Sequence, residues 1–386
     1  MSLRLPLGAV LSLLFLVSCT PPMEAHRFSN LVLNENALWF GAGYRLYRVD
    51  LESNTPTVVF DTKDVLVSFV RIEGNRVFFG GHHSPRGWGA LIWSLDLSDS
   101  HIVWKLEIED SAWQGRIVTP PLVAKETIVV ATRKGLHGID KSSGMMKWEI
   151  TDNWFGGGEL SPILIDGIIL YSIEPVADDH APHLLALADS SSGKTVRTIS
   201  IPRSPELIPA VHGDCLFFAD SVGVEIDPNG DPHYRGEHRL NCLDLESGKI
   251  VWSRKDYGVG TISQIDFYKG LVFESFRESL LALDEHTGAV RWQSKVGISR
   301  NPVFVEGADV IALQIAQGNG ENIVFVDPIT GQTRYGTVSS TLTSPVFAGH
   351  EMFYGSENAL KRVDIVSGKE LWSIPVDSLF YEFNDD

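Results

Sequence analysis

Residues 280–292 read LLALDEHTGAVRW, and the order of residue types in that stretch decides the fold. An apolar run with strand character closes on Asp284. A turn follows, with Gly288 four residues after the aspartate, and a second strand leads out to Trp292, eight residues after it. The same spacing returns in GIDKSSGMMKW (Asp140, Gly144, Trp148), in CLDLESGKIVW (Asp244, Gly248, Trp252) and in RVDIVSGKELW (Asp364, Gly368, Trp372). An aspartate at the end of a strand can accept hydrogen bonds from N–H groups of its own turn. A glycine four residues on supplies the left-handed residue that ends a short hairpin loop. A tryptophan on the outgoing strand has the area to dock one unit against the next.

Taking the aspartate as marker, the repeat occurs eight times: Asp50, Asp96, Asp140, Asp189, Asp244, Asp284, Asp327 and Asp364. Its period is about 45 residues, the length of a propeller blade. Asn54 and Ser100 stand at the glycine position of the first two copies, and Val58, Arg197 and Tyr335 stand at the tryptophan position of three. Upstream of each aspartate two more short strands are legible, as in Pro209-Ala210-Val211, a Gly213-Asp214 turn, 215–219 and 239–243. No stretch has helical period. Eight units of four antiparallel strands predict an all-β fold, an eight-bladed β-propeller, over residues 28–386.

The pattern A-L-D-x-x-T-G-x-x-x-W, quoted from residues 282–292, resembles the quinoprotein alcohol dehydrogenase-like repeat, also called the PQQ-like repeat. The likeness covers essentially the whole chain after its leader. It implies the propeller fold. Within this family, the length and leader are nearest to the lipoprotein branch that serves outer-membrane protein assembly. The motif residues themselves build scaffold, so the resemblance says more about architecture than about chemistry. A quinoprotein dehydrogenase is expected to be longer and to carry adjacent cysteines beside its cofactor. No two cysteines are adjacent here, so no cofactor is expected.

Residues 1–18 read as a signal peptide: Arg4, then a 13-residue apolar run over 5–17, too short to cross a bilayer. Leu16-Val17-Ser18-Cys19 resembles a bacterial lipobox, which makes Cys19 the expected lipidation site and 19–27 a tether. Thr20 is not the aspartate of inner-membrane retention. The expected location is therefore the cell envelope, on the periplasmic side of the outer membrane, with the membrane met only through the lipid. The formal charge of −17 repels phosphates, so no nucleic-acid partner is expected. The remaining thiols, Cys215 and Cys242, would sit on neighbouring strands of one blade in a compartment that permits a disulfide. Yet Cys242 fills the slot of Ala282 and Gly138, which favours a small core residue.

Function is sought where the copies disagree. Long insertions at 82–90, 174–183 and 220–238 fall on one face, with the blade-joining segments beside them. Trp88, Trp113, Trp154, Phe155 and Tyr234 gather there. Such rings either fold back onto their own loops or anchor a partner, and the expectation carried forward is a protein partner of the envelope. Asp178, Asp179, His180 and His183, and the run from Asp227 to Asp231, have the residue types of metal ligands but read as solvated acidic loops, and no metal is expected. Pro232 stands where a calcium loop needs glycine and His238 where it needs glutamate. His82 and His83 read as loop residues. Ser192-Gly193-Lys194-Thr195 mimics a phosphate loop, but Ala188 replaces its first glycine. No HExxH or GxSxG motif occurs. The expectation is a monomeric, non-enzymatic scaffold.

Overall fold

The computed structural model describes residues 28–375 apart from 84–88, 109–118, 133–134, 152–161, 174–182, 202–208, 223–224, 227–231, 234–236, 257–263, 277–278, 295–302, 306–307, 318–319, 340–342, 344 and 357–358. The described residues form eight four-stranded antiparallel sheets, with no α-helix among them. The chain is an eight-bladed β-propeller, as its repeat predicts. Blades 1 to 8 occupy residues 32–61, 65–108, 122–150, 163–201, 210–256, 264–294, 303–339 and 346–375. Each is built from strands that follow one another in sequence. Blade 5 carries an extra two-stranded ribbon, Glu225–Ile226 with Pro232–His233, between its second and third strands.

Hydrophobic packing lies between blades. Among the described residues, most buried apolar side chains fall into eight clusters, and each joins one blade to its neighbour. The second strand of each blade supplies the deepest residues, such as Phe78, Phe217, Phe273 and Phe353. Fourth strands form the outer edge and leave Val196, Val251 and Leu371 exposed.

The repeated hairpin shows why its residues recur. In blade 6 the Gly288 N–H donates to the Asp284 carbonyl at 2.8 Å, and the Asp284 N–H to Ala289 at 2.8 Å. The Asp284 carboxylate accepts the Thr287 N–H at 3.0 Å and the Arg291 guanidinium at 2.7 Å. Arg291, with Thr287 beside it, holds the carboxyl down to about 2. The carboxyl of Asp140 is likewise held below the carboxylate range, first by the Ser142 hydroxyl and then by Ser143. Asn54 and Ser100 take the glycine's place with φ of 56° and 60°, so both enter the left-handed region.

A bulge before the aspartate shifts the register and sets Trp292 opposite Ala282, Trp148 opposite Gly138, Trp252 opposite Cys242 and Trp104 opposite Ser94. The indole lies over that small residue; a Cβ on Gly138 would come within 2.0 Å of the Trp148 ring. It reaches onward to the hairpin of the next blade, where its Nε1 donates to the carbonyl after the aspartate. Trp104 donates to Lys141 at 3.0 Å, Trp148 to Ser190 at 3.0 Å, Trp252 to Glu285 at 2.9 Å and Trp292 to Pro328 at 3.0 Å. In blade 4, Arg197 replaces the indole and donates to Leu245 and Glu246 of blade 5.

Among the described residues, side chains join the two ends of the ring. Phe28, Leu31, Phe40 and Tyr47 of the N-terminal region pack with Val346, Phe353, Leu360 and Ile374 of blade 8. Arg362 occupies the slot opposite Trp372 that holds a small residue elsewhere. Its guanidinium donates to the Leu51 carbonyl of blade 1 at 2.9 Å and grips Glu351 at 2.7 and 2.8 Å. The acceptor that an indole takes at other junctions is thus already filled, and Trp372 Nε1 has no hydrogen-bond partner among the described residues. The segment 378–383, which has strand character and would suit a clasp, lies outside the described residues.

Candidate functional site

The topology gives the propeller two unlike faces. Turns between first and second strands and between third and fourth strands share one face, and there six blade junctions carry a side-chain bond from one blade to the carbonyl after the next blade's aspartate. Connections between second and third strands, together with the blade linkers, share the other, where the insertions of blades 2, 4 and 5 emerge. Trp88, Trp113, Trp154, Phe155 and Tyr234 lie outside the described residues, as do Asp178, Asp179, His180 and 227–231. His183 opens a strand, but its side chain also falls outside them.

The described residues show how the base of this face is held. His82 and His83 end the second strand of blade 2 (Arg76–His83), and Ala90 begins the third, so the insertion is shorter than 82–90. The two histidines are strand residues, paired through Leu66–His82 and Val65–His83; the ladder runs on past the point where the repeat pattern stops. Ser29 and Thr343 perform one duty in different blades. Their hydroxyls accept the N–H of Gly41 at 2.7 Å and of Gly355 at 2.8 Å, at the face end of each second strand. Asn30 clamps Val70 of blade 2 from both sides at 2.8 Å, beside the bulge in that strand.

In blade 3 the structure brings together three residues that the sequence did not single out. His137 Nε2 lies 2.9 Å from the Thr132 hydroxyl, and His137 Nδ1 lies 3.3 Å from Glu149 Oε1. The order hydroxyl, imidazole, carboxylate is that of a nucleophilic triad. Here it holds a loop. Thr132 is 0% exposed, so no substrate reaches its hydroxyl, which instead accepts the Gly135 N–H at 3.3 Å across the turn. His137 sits in a strand whose alternation reads as ordinary core, and no sequence signal marks it.

No three His, Cys, Asp or Glu side chains among the described residues gather to hold a metal ion. Cys215 and Cys242 lie between blades 5 and 6 among apolar neighbours, as free thiols.

The family profile described as "Outer membrane protein assembly factor BamB" matches residues 183–379, just over half of the chain. The chain is 22% identical over 280 residues to a protein named outer membrane protein assembly factor BamB from Yersinia pestis, covering 70% of this chain and 64% of that one. It is 22% identical over 338 residues to the protein of the same name from Moranella endobia, covering 83% and 78%. Alignment therefore spans less than two thirds of the Yersinia relative. Among solved structures, BamB from Moraxella catarrhalis superposes with a TM-score of 0.59 at 16% identity over 85% of this chain and 93% of that one. A europium-containing methanol dehydrogenase superposes with a TM-score of 0.60 at 12% identity over 79% and 77%. Those two likenesses share the propeller across assembly factor and enzyme alike. The sequence match goes further, and by it this chain belongs to the family of the outer membrane protein assembly factor BamB.

Proposed function

We propose that this chain is a non-enzymatic scaffold of outer-membrane protein assembly, docking an assembly partner on the face where the insertions of blades 2, 4 and 5 emerge. The family match carries the reading. The contrast between faces supports it: the motif hairpins of one face tie blade to blade at most junctions, and the long insertions are left to the other. Trp88, Trp113, Trp154, Phe155 and Tyr234 are the proposed anchors, since large rings in loops dominate interface energetics. Cys19 is the proposed lipid anchor that keeps the propeller at the periplasmic surface of the outer membrane.

The test is crosslinking in intact cells, followed by purification of the lipidated chain and identification of what accompanies it. An outer-membrane β-barrel assembly protein is expected. Trp113→Ala combined with Trp154→Ala should reduce its recovery several-fold while the thermal melt stays unchanged. Equal recovery from this variant would remove the face from the proposal, and recovery of no assembly protein would remove the function. Cys19→Ala is expected to abolish labelling by a radioactive fatty acid.

A further inference from the structure

The junction of blades 5 and 6 holds two thiols that the repeat does not require. Cys215 begins the second strand of blade 5 (Cys215–Val222), and Cys242 lies on the third (Glu237–Asp244). Cys242 pairs with Phe217 and Cys215 with Asp244, which puts both side chains on one face of the sheet, a single diagonal apart. They pack in the same apolar cluster, Cys242 buried within it and Cys215 against it. Cys242 is 1% exposed, whereas Cys215 is half-buried.

A base stands beside the outer thiol. His212 is the register partner of Cys215 on that face, which sets their Cβ atoms about 4.5–5.5 Å apart. Its ring stacks on Phe267 of blade 6 at 4.7 Å, and its Nε2 lies 3.6 Å from Glu285 Oε1. Burial pushes the Cys242 thiol up, and Cys215, Glu285 and Asp244 add to the effect. The inner sulfur is therefore held as the neutral thiol, and the outer one is the end that reagents meet.

We propose that Cys215 and Cys242 are a thiol–disulfide pair, closed into an intrachain disulfide by exchange with an external disulfide. Cys215 gives its proton to His212, and its thiolate attacks one sulfur of the external disulfide. That S–S bond breaks, a mixed disulfide forms, and the first external thiolate leaves and takes up the proton. The Cys242 sulfur then attacks the Cys215 sulfur, and its own proton goes to the second departing thiolate. Two electrons and two protons pass to the external disulfide, which ends as two thiols. A regular diagonal spans about 7–8 Å between Cα atoms, while a disulfide needs at most about 6.8 Å, so the strands must approach by about 1 Å. Play exists at both ends: Cys215 follows the Gly213-Asp214 turn, and the bulge lies between Cys242 and Leu243.

The test uses the folded full chain treated with oxidised glutathione, quenched in acid, denatured and alkylated. Peptide mapping reads Cys215 and Cys242 separately from Cys19. Both thiols are expected to be protected and joined, and to return on reduction. Cys242→Ala, which installs the residue found at Ala282, should instead stop at a glutathione adduct on Cys215. His212→Phe keeps the stack on Phe267 and is expected to slow the reaction several-fold. If both wild-type thiols remain alkylated, or if the wild type accumulates the same adduct as Cys242→Ala, the pair is refuted. An unchanged rate in His212→Phe overturns the role of the base.

Discussion

Gly331 and Gly368 hold the same place in two hairpins, with φ of 70° in each, yet their surroundings differ. A Cβ on Gly331 would come within 2.6 Å of the Trp292 ring, and one on Gly368 would meet nothing within 4 Å. Left-handed backbone costs an alanine about 1–2 kcal/mol. Overpacking adds about 1–3 kcal/mol where the ring must move. Gly368→Ala is therefore expected to lose about 1–2 kcal/mol in urea unfolding, and Gly331→Ala about twice that. The aspartate has its own signature. The Asp284 carboxyl is held to about 2 in the fold, below its ordinary 3.8. A depressed carboxyl stabilises the fold fully above its unfolded value and ceases to do so as pH falls through the folded one. Melting temperature should drop between pH 4 and pH 2, and Asp284→Asn should melt lower at neutral pH with a shallower drop across that window.

Trp292 ties one hairpin to the next. It is half-buried, so Trp292→Ala is expected to cost about 3 kcal/mol, the lower end for a large aromatic. Trp292→Phe keeps the ring over Ala282 and loses the bond to Pro328, for about 1 kcal/mol. Urea unfolding of the two variants separates packing from hydrogen bonding. Strand and turn were legible at this scale, because aspartate, glycine and tryptophan each answer a local demand that recurs from copy to copy; the bulge before the aspartate was not. The indole's acceptor was not, since it is a backbone carbonyl some forty residues away and carries no side-chain mark. Arg197 looked like a failure of the pattern, yet it is a substitute donor to the same kind of acceptor. Nor could the loop face be read. Its residues occur once each, and no second copy shows which features are structural.

At the scale of the molecule, the decisive junction is that between blade 8 and blade 1. Arg362 fills the space beneath Trp372 and occupies the Leu51 carbonyl. Arg362→Met keeps the bulk, loses every donor and strands that carbonyl, and is expected to cost about 2–3 kcal/mol. Arg362→Ala empties the slot and lets the indole settle as in other blades. It should cost less than Arg362→Met when both are unfolded in urea; the opposite order would refute the account of the seam. Eight blades, each of sequence-contiguous strands packed on its neighbours through apolar clusters, also leave the ring without a privileged starting point. Among the described residues no sheet borrows a strand from the far end of the chain. Circular permutation is the consequence: new ends opened between two other blades, with the old ends joined by a linker, would move the open join elsewhere and leave all eight sheets whole.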